Sequence, residues 1–525
     1  TETAPVIVSN DFKNLQLCSK AWGYPGWQKK GVIFNARVES VMEKRMFQNG
    51  IHYHRAVIPA AGFYEWSRQK EKNTFYRKDG KPLYLAGFYD RFDKEDRFVI
   101  LTTVANASMR PVHDRMPLVL EKDQIRSWLW EEKQNMKIES IKIHNYKVFK
   151  DVEVKDISNM AVFLGKNGVG KTTFFDVFGF LHDCLNSNVR SALAKRGGFK
   201  EVVSREQKGN IEFTIKFRAS EEEPLITYEI SIGLDEHARA VVKKEVLRFR
   251  RGQKGSPWKV LDFSCGEGIA AEGKLNSYED VNLAKRRKQK LDSPDILAIK
   301  GLGQFKEFEA VSTFRRLIED WYVADFRIDA ARERQEAEYG EQLSRTGDNL
   351  SVVTKYLYDN HPDIFNKIIE NMKLRVPGVE KVEAQETQDG YIVLRFQDGK
   401  FQNPFSAKYV SDGTIKMFTY LVLLNDPLQH ALLCIEEPEN QLYPELLGGL
   451  AEEFRNYANA GGQVFVSTHS PDFLNAVELE EIYYLQKKDG FTTIKKASDN
   501  PIARKLCEAG DLPGALWKQG LLVEG

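Results

Sequence analysis

Cysteine is scarce in this 525-residue chain: Cys18, Cys184, Cys265, Cys434 and Cys507 are scattered, odd in number and never spaced as CxxC. That usage excludes a disulfide framework and a thiolate zinc site, and it fits the reducing cytoplasm, the expected location. Long apolar runs are lacking as well. None approaches the roughly 18 residues that a membrane-crossing helix needs, so no membrane partner is expected. No basic segment followed by an apolar core opens the chain, so the opening stretch is not expected to be a secretory signal. The first residue is Thr1 rather than Met, so a natural start further upstream is expected. Internal repeats and sustained heptads are absent too, which excludes long coiled-coil arms.

What is present is ordinary globular composition, 42 % apolar and 29 % charged, at a length that predicts two to four domains. The net charge of +1 hides a division. Residues 1–135 hold 22 Lys and Arg against 16 Asp and Glu, and the remainder holds 54 against 59. A basic front suits a polyanion, although a solvated surface produces the same modest excess. The junction shows as a short helix over Ile125–Gln134 with a charged tail. After it, Ile138, Ile141 and Ile143 begin a new alternating pattern, and Met136 reads as an old or engineered fusion point.

Before the junction, short β-rich runs (GVIF, RAVIPA, PLYLAGFY, RFVILTTVA, PLVL) alternate with turn residues, which predicts a compact mainly-β or α+β domain over 1–134. After it, strands mix with amphipathic stretches at Asp348–Tyr358 and Pro444–Asn459, as in α/β architecture, with a lid or insert expected around 200–400. The basic stretch Val281–Ser293 reads as an exposed lid or linker, with a DNA-contacting segment as the alternative.

Gly165-Lys166-Asn167-Gly168-Val169-Gly170-Lys171-Thr172 fits GxxxxGK[ST] at every fixed position, between an apolar strand, Met160–Leu164, and a helical run from Thr173 to Leu185. Glycines let backbone N–H groups close round phosphate oxygens, and the following helix start adds a favourable dipole. Lys171 then reaches the β/γ-phosphates, and the Thr172 hydroxyl ligates Mg²⁺. Far downstream, the short apolar strand Ala431–Ile435 ends in Glu436-Glu437-Pro438-Glu439. The first carboxylate suits Mg²⁺ and the second, Glu437, suits polarisation of the attacking water. Ser411-Asp412-Gly413 precedes that strand by about 20 residues and reads alone as a helix cap. His469 follows a further strand at Val464–Val466.

In this order the motifs resemble those of ABC-type ATPases, with Walker A, a signature around Ser411 and Gly413, Walker B and a switch histidine at His469. The order is poorly compatible with AAA+ or RecA-type enzymes. Across nearly all of 136–525 the chain is similar to ATPases related to RecF and OLD proteins. The shared segments include Arg196-Gly-Gly-Phe-Lys-Glu201, Leu291-Asp-Ser-Pro, Leu343-Ser-Arg-Thr-Gly-Asp-Asn349 and Ile435-Glu-Glu-Pro-Glu-Asn-Gln441. That resemblance implies an α/β P-loop head and an ATP-sandwich homodimer in which Ser411 and Gly413 act on the other subunit's ATP. It also implies a link to DNA repair or to defence against foreign DNA. Glu436 stands where Asp is commoner, and Gln207 is the candidate for the Q-loop. About 55 residues follow His469, so no appended nuclease domain is expected.

Before the junction, Asn35-Ala-Arg37-Val-Glu39, Ile58-Pro-Ala-Ala-Gly-Phe-Tyr-Glu65-Trp66 and Val112-His113-Asp-Arg-Met-Pro117 follow Trp22-Gly-Tyr-Pro-Gly-Trp27. These four motifs resemble the SRAP family (SOS response-associated peptidases), which shields abasic sites in single-stranded DNA. The resemblance implies Asn35 on an opened sugar, Arg37 on phosphate, and Glu65 with His113 moving protons. Trp22 and Trp27 are candidates for stacking on bases, or for the core. The family's cysteine after the initiator Met has no counterpart here, and the family's portion after the HDRMP motif is cut short. Covalent crosslinking is therefore not expected.

Together these features predict an ATP- and Mg²⁺-dependent hydrolase, dimeric and DNA-linked. The alternatives are a nucleotide-gated scaffold regulating a separate effector protein, or a sensor of single-stranded or abasic DNA.

Overall fold

The computed structural model describes residues 3–522 apart from 10–14, 27–30, 42–43, 45, 48–49, 52–53, 68, 93–94, 107, 123, 130–136, 219–224, 251–256, 273–285 and 402. The chain divides into two compact units, Thr1–Gln134 and Asn135–Gly525.

The first unit is built on one eight-stranded sheet. Its path runs Glu95–Val104, Leu15–Trp22, Thr3–Ser9, Arg55–Ala60, Leu83–Phe92, and the last of these pairs back onto Glu95–Val104, closing a five-stranded ring. Side chains alternate across a strand, and here both faces are covered. Ala56 and Ile58 enter one apolar cluster and Val57 the other; Phe98 and Ile100 likewise part from Val99 and Leu101. That explains the unbroken apolar runs in these strands. Part of the expected junction helix is seen as Gln124–Leu129, packing Ile125 and Leu129 on the second cluster. The remainder, with Met136, lies outside the described residues. A separate hairpin, Phe63–Trp66 with Lys72–Phe75, makes its own two-stranded sheet.

The second unit is an α/β P-loop head. Its central sheet has six strands, numbered here within it: β1 (Met160–Leu164), β2 (Trp321–Ala324), β3 (Leu432–Glu436), β4 (Gln463–Thr468), β5 (Ile482–Lys488) and β6 (Phe491–Lys496). The order β2-β3-β4-β1-β5-β6 is parallel except at β5–β6. All five residues of β1 are buried, Ala161 and Phe163 toward one core and Met160, Val162 and Leu164 toward the other.

On the first side lies α1 (Lys171–Asn186), burying Phe174, Phe175, Phe178 and Leu181. An eight-stranded antiparallel sheet packs into the same cluster. Its strand Ile211–Arg218 turns Ile211, Phe213, Ile215 and Phe217 inward with period two. On the second side lie α2 (Asp412–Leu424), α3 (Pro444–Asn459), the helices Leu350–Asn360 and Pro362–Arg375, and a four-stranded sheet.

Two expectations need correction. The stretch 200–400 is not one insert: the described strands from Ile211–Arg218 to Arg286–Lys290 extend the sheet begun by Lys137–Tyr146, and β2 belongs to the central sheet. Apolar alternation on one face forces that docking, because those side chains have nowhere else to be buried. Within Val281–Ser293, Arg286–Lys290 is an edge strand paired with Glu267–Ala271 rather than a free linker, and 281–285 lie outside the described residues. Its row of charges suits a sheet edge that must not pair further.

Candidate functional site

The loop Gly165–Gly170 joins β1 to α1. Gly168 and Gly170 have φ of 79° and 108°, a region that L side chains rarely adopt. A Cβ on Gly165 would meet Val169 Cγ2 at 2.6 Å, so glycine here lets the loop fold tightly on itself. Lys166, Asn167 and Gly168 are exposed at the tip, and Thr173 is half-buried in the first turn of α1. Thr492 Oγ1 donates to the Val169 carbonyl at 2.6 Å and so ties the loop to β6. Lys171 is buried, its ammonium donating to the Gly165 carbonyl at 2.8 Å and lying 3.6 Å from Glu437 Oε1.

The two carboxylates Glu436 and Glu437 arrive from the end of β3. Thr172 Oγ1 donates to Glu436 Oε2 at 2.7 Å. Burial pushes the Glu436 carboxyl up, the Thr172 bond opposes this, and the charges of Asp325 and Glu437 add to it. Burial also acts upward on Glu437, but the bond from Asn440 and the charges of Lys171 and His469 outweigh it and hold that carboxyl low. Glu437 is therefore poised as an anion that accepts hydrogen bonds. His469 Nδ1 lies 3.4 Å from Glu437 Oε1 and 3.3 Å from Glu439 Oε1. Glu439 accepts from Thr468 Oγ1 at 2.8 Å and from His469 N at 2.9 Å, which fixes the loop after β4 against the loop after β3.

So the structure gathers Lys171, Thr172, Glu436, Glu437 and His469 at the carboxyl ends of neighbouring parallel strands, where open α/β sheets bind ligands. One hydroxyl and one carboxylate, Thr172 with Glu436, are a donor set that suits Mg²⁺ carried in with phosphate oxygens. The glycine cradle and Lys171 suit the phosphates themselves. ATP and Mg²⁺ therefore fit these residues.

Ser411 and Gly413 are placed elsewhere. Ser411 caps α2, its Oγ accepting from Thr414 N at 3.3 Å. Among the described residues no hydrogen bond or ion pair joins either to Gly165–Thr172. They line an open cleft of about 880 Å³ with Arg375, Gln441 and Tyr443. Gln207 sits in the turn after Ser204, leading into the antiparallel sheet, and among the described residues no hydrogen bond or ion pair joins it to Gly165–Thr172. The strand beside Leu432–Glu436 is followed by Asp325. Ala324 pairs with Ile435, so Asp325 stands next to Glu436. Sequence reading missed it because nothing local marks β2 as Walker B's neighbour. The Leu343–Asn349 motif explains its position: Arg345 O accepts from Asp325 N at 2.9 Å and Ser344 O from Tyr322 Oη at 2.6 Å. The Arg196 motif clamps α1, with Nε to Asp176 Oδ1 at 2.7 Å and Nη1 to Asp183 Oδ2 at 2.8 Å.

In the first unit Asn35 and Arg37 lie exposed on a strand paired with Ile100–Thr102, and Glu65 is half-buried on the hairpin. His113 Nδ1 accepts from Arg115 N at 3.0 Å. Among the described residues no hydrogen bond or ion pair joins Glu65 to His113. The link between motifs that the structure does show is one the sequence left unmarked: Arg115 grips both oxygens of Glu39, at 2.8 and 2.9 Å. Trp22 is a packing residue, stacked with Phe98 and donating to the Phe34 carbonyl at 3.2 Å. Trp27 lies outside the described residues.

Comparison with known proteins divides the chain similarly. The family "SOS response associated peptidase (SRAP)" matches residues 1–160. That match runs past Gln134 into strands which here pair within the second unit. The abasic site processing protein YedK of Escherichia coli (strain K12) is 35 % identical over 138 residues, covering 25 % of this chain and 62 % of that protein. YoaM of Bacillus subtilis (strain 168) is 33 % identical, covering 24 % and 61 %. The chain thus spans about three fifths of the length of these curated relatives. Among solved structures, an SMC head bound to the C-winged helix domain of ScpA aligns with TM-score 0.43 at 12 % identity, over 68 % of this chain and 96 % of that one. The SMC head domain of Thermotoga maritima aligns with TM-score 0.36 at 13 % identity, over 69 % and 99 %. Residues 160–475, more than half of the chain, match the family "AAA domain, putative AbiEii toxin, Type IV TA system". The chain therefore belongs to that AAA-domain ATPase family, with an SRAP domain preceding the ATPase domain.

Proposed function

We propose that the chain is an ATP hydrolase that works as a homodimer, closing two ATP sites between subunits in a DNA-linked process of repair or defence. The observation that carries this reading is the meeting of Lys171, Thr172, Glu436, Glu437 and His469 from separate segments at one edge of the sheet. The loop amides and Lys171 hold phosphate oxygens. Thr172 and Glu436 hold Mg²⁺, which when bound supplies electrostatic stabilisation of the transferring phosphoryl group. Glu437 orients the attacking water, and His469, anchored beside it, reads the γ-phosphate. Ser411 and Gly413 at the start of α2, free of their own phosphate loop, serve the partner's ATP. The SRAP family match and the abasic-site relatives support a DNA-linked role.

Glu437→Gln tests the reading. Turnover is expected to fall by about 100-fold or more, and the ATP-bound protein to elute as a dimer. A variant that hydrolyses ATP at the parent rate and never dimerises overturns it. Wild-type turnover with single-stranded, duplex or abasic DNA separates a DNA-stimulated enzyme from a scaffold stimulated only by an effector protein.

A second reading concerns the first unit. Tyr64, Trp66 and Tyr76 stand exposed on or beside the hairpin, with Lys72 Nζ 4.1 Å from the Tyr64 ring centroid. Exposed aromatics interleaved with cations support stacking on single-stranded nucleic acid.

A further inference from the structure

The loop after β3 is strained at both ends of a short span. Glu437 and Gln441 adopt φ of 42° and 66°, a region unfavourable to non-glycine residues unless the surroundings enforce it. Two contacts from α2 reach this span. A Cβ on Gly413 would come within 2.9 Å of the Gln441 carbonyl, so the start of α2 abuts the loop. One turn further along, Lys416 donates to the Asn440 carbonyl at 2.6 Å. Asn440 in turn donates through Nδ2 to Glu437 Oε2 at 3.1 Å, and its N–H bonds the Glu437 carbonyl at 3.1 Å.

We propose that Lys416 is a positioning residue. From α2 its ammonium holds the Glu437–Gln441 loop, so that engagement of Ser411 and Gly413 at one ATP site sets the Glu437 carboxylate at the other. This rests on the reading of Glu437 as the group that orients water.

The side chain is only 6 % exposed, an unusual place for an ammonium unless it has a task. Burial draws its pKa down to about 8, against the charges of Glu439 and Glu437, which favour the cation. Glu439 Oε2 is buried with no hydrogen-bond partner among the described residues, and the charge of that carboxylate acts on the ammonium. Among the described residues no hydrogen bond or ion pair joins Lys416 to Gly165–Thr172, so nucleotide affinity is expected not to depend on it directly.

The test uses the full chain and three variants, Lys416→Met, Lys416→Arg and Asn440→Ala, with steady-state ATP turnover and binding of a fluorescent ATP analogue. Lys416→Met is expected to lower kcat about tenfold or more with KM and analogue affinity unchanged, and Lys416→Arg to restore most of it. Asn440→Ala, at an exposed side chain, is expected to lower kcat in the same way, and the double variant to lose no more than the worse single one. Loss confined to KM, or Asn440→Ala and Lys416→Met both turning over within about twofold of the parent, overturns the proposal. If Lys416→Met does not fold, Asn440→Ala decides alone. Glu437→Gln in parallel separates the two failures: if it abolishes turnover while these variants do not, the relay is wrong and the ATPase reading stands.

Discussion

Thr172 and Glu436 are 264 positions apart in the chain and joined by one hydrogen bond, Oγ1 to Oε2, at 2.7 Å. The bond docks the start of α1 against the end of β3 and presents a hydroxyl and a carboxylate side by side.

Thr172→Val keeps the shape and removes the donor. Thr172 is exposed, so stability is expected to change by under about 0.5 kcal/mol. The Mg²⁺ concentration that half-saturates ATP turnover is expected to rise at least tenfold, on the order of the loss seen when a metal site is weakened. A Mg²⁺ titration of turnover checks this, and an unchanged midpoint removes Thr172 from the metal site.

Arg196 is the only cation that reaches both Asp176 and Asp183 of α1 among the described ion pairs, and it is nearly buried. Asp176 also accepts from Tyr146 Oη at 2.7 Å and Lys147 Nζ at 2.5 Å, and its carboxyl stays low despite burial. Arg196→Met leaves that carboxylate under-compensated, and the second unit is expected to lose about 3–5 kcal/mol in denaturant unfolding. Loss below about 1 kcal/mol shows that the clamp is not structural.

Glu245 is buried in the antiparallel sheet, accepting from the N–H groups of Ala298 and Ile299 and from Tyr228 Oη. Burial raises its pKa to about 7, with those three bonds pulling the other way. The unfolded value is near 4.3, so the native state holds the proton more tightly. The contribution is therefore fully present below about pH 4.3 and is lost as pH rises through about 7. Glu245→Gln cannot ionise. The stability difference between parent and variant is expected to shift against the parent across that window, by on the order of 3 kcal/mol. Parallel unfolding curves at each pH, with a constant difference, contradict this.

Tyr64 and Trp66 are exposed on the first unit's hairpin. Each change to Ala is expected to weaken binding of a single-stranded oligonucleotide by about 1–3 kcal/mol, measured by fluorescence anisotropy, with ATP turnover unaltered. Unchanged affinity places the nucleic-acid surface elsewhere or removes it. The same oligonucleotide with an abasic site, run on a denaturing gel, distinguishes reversible binding from covalent capture.

Local chemistry made much of this legible in one dimension. The run Met160–Leu164 matches β1 residue for residue, and Pro444–Asn459 matches α3, because burial on two faces and a proline at the first helical turn are visible in the residues themselves. The reading of Asp348–Tyr358 as helix is met by Leu350–Asn360, shifted by two residues. What stayed hidden was adjacency between distant segments: Ala324 pairs with Ile435, which sets Asp325 beside Glu436, and no local pattern marks that pairing.

The residues alone determined that a phosphate loop, a carboxylate pair after a strand, a helix cap at Ser411 and a histidine at position 469 occur in one order, because each is written in a few contiguous positions. They also determined that the front unit would be β-rich. Only the tertiary structure decided which of these meet. Parallel strands β2, β3, β4 and β1 bring their carboxyl ends to one edge, since strands buried on both faces must lie side by side with helices covering them. That convergence sets Glu436 on Thr172, Asp325 beside Glu436 and Lys416 on Asn440, and packing within the first unit sets Arg115 on Glu39. No local pattern encodes such pairs, because each is fixed by packing between segments far apart in the chain.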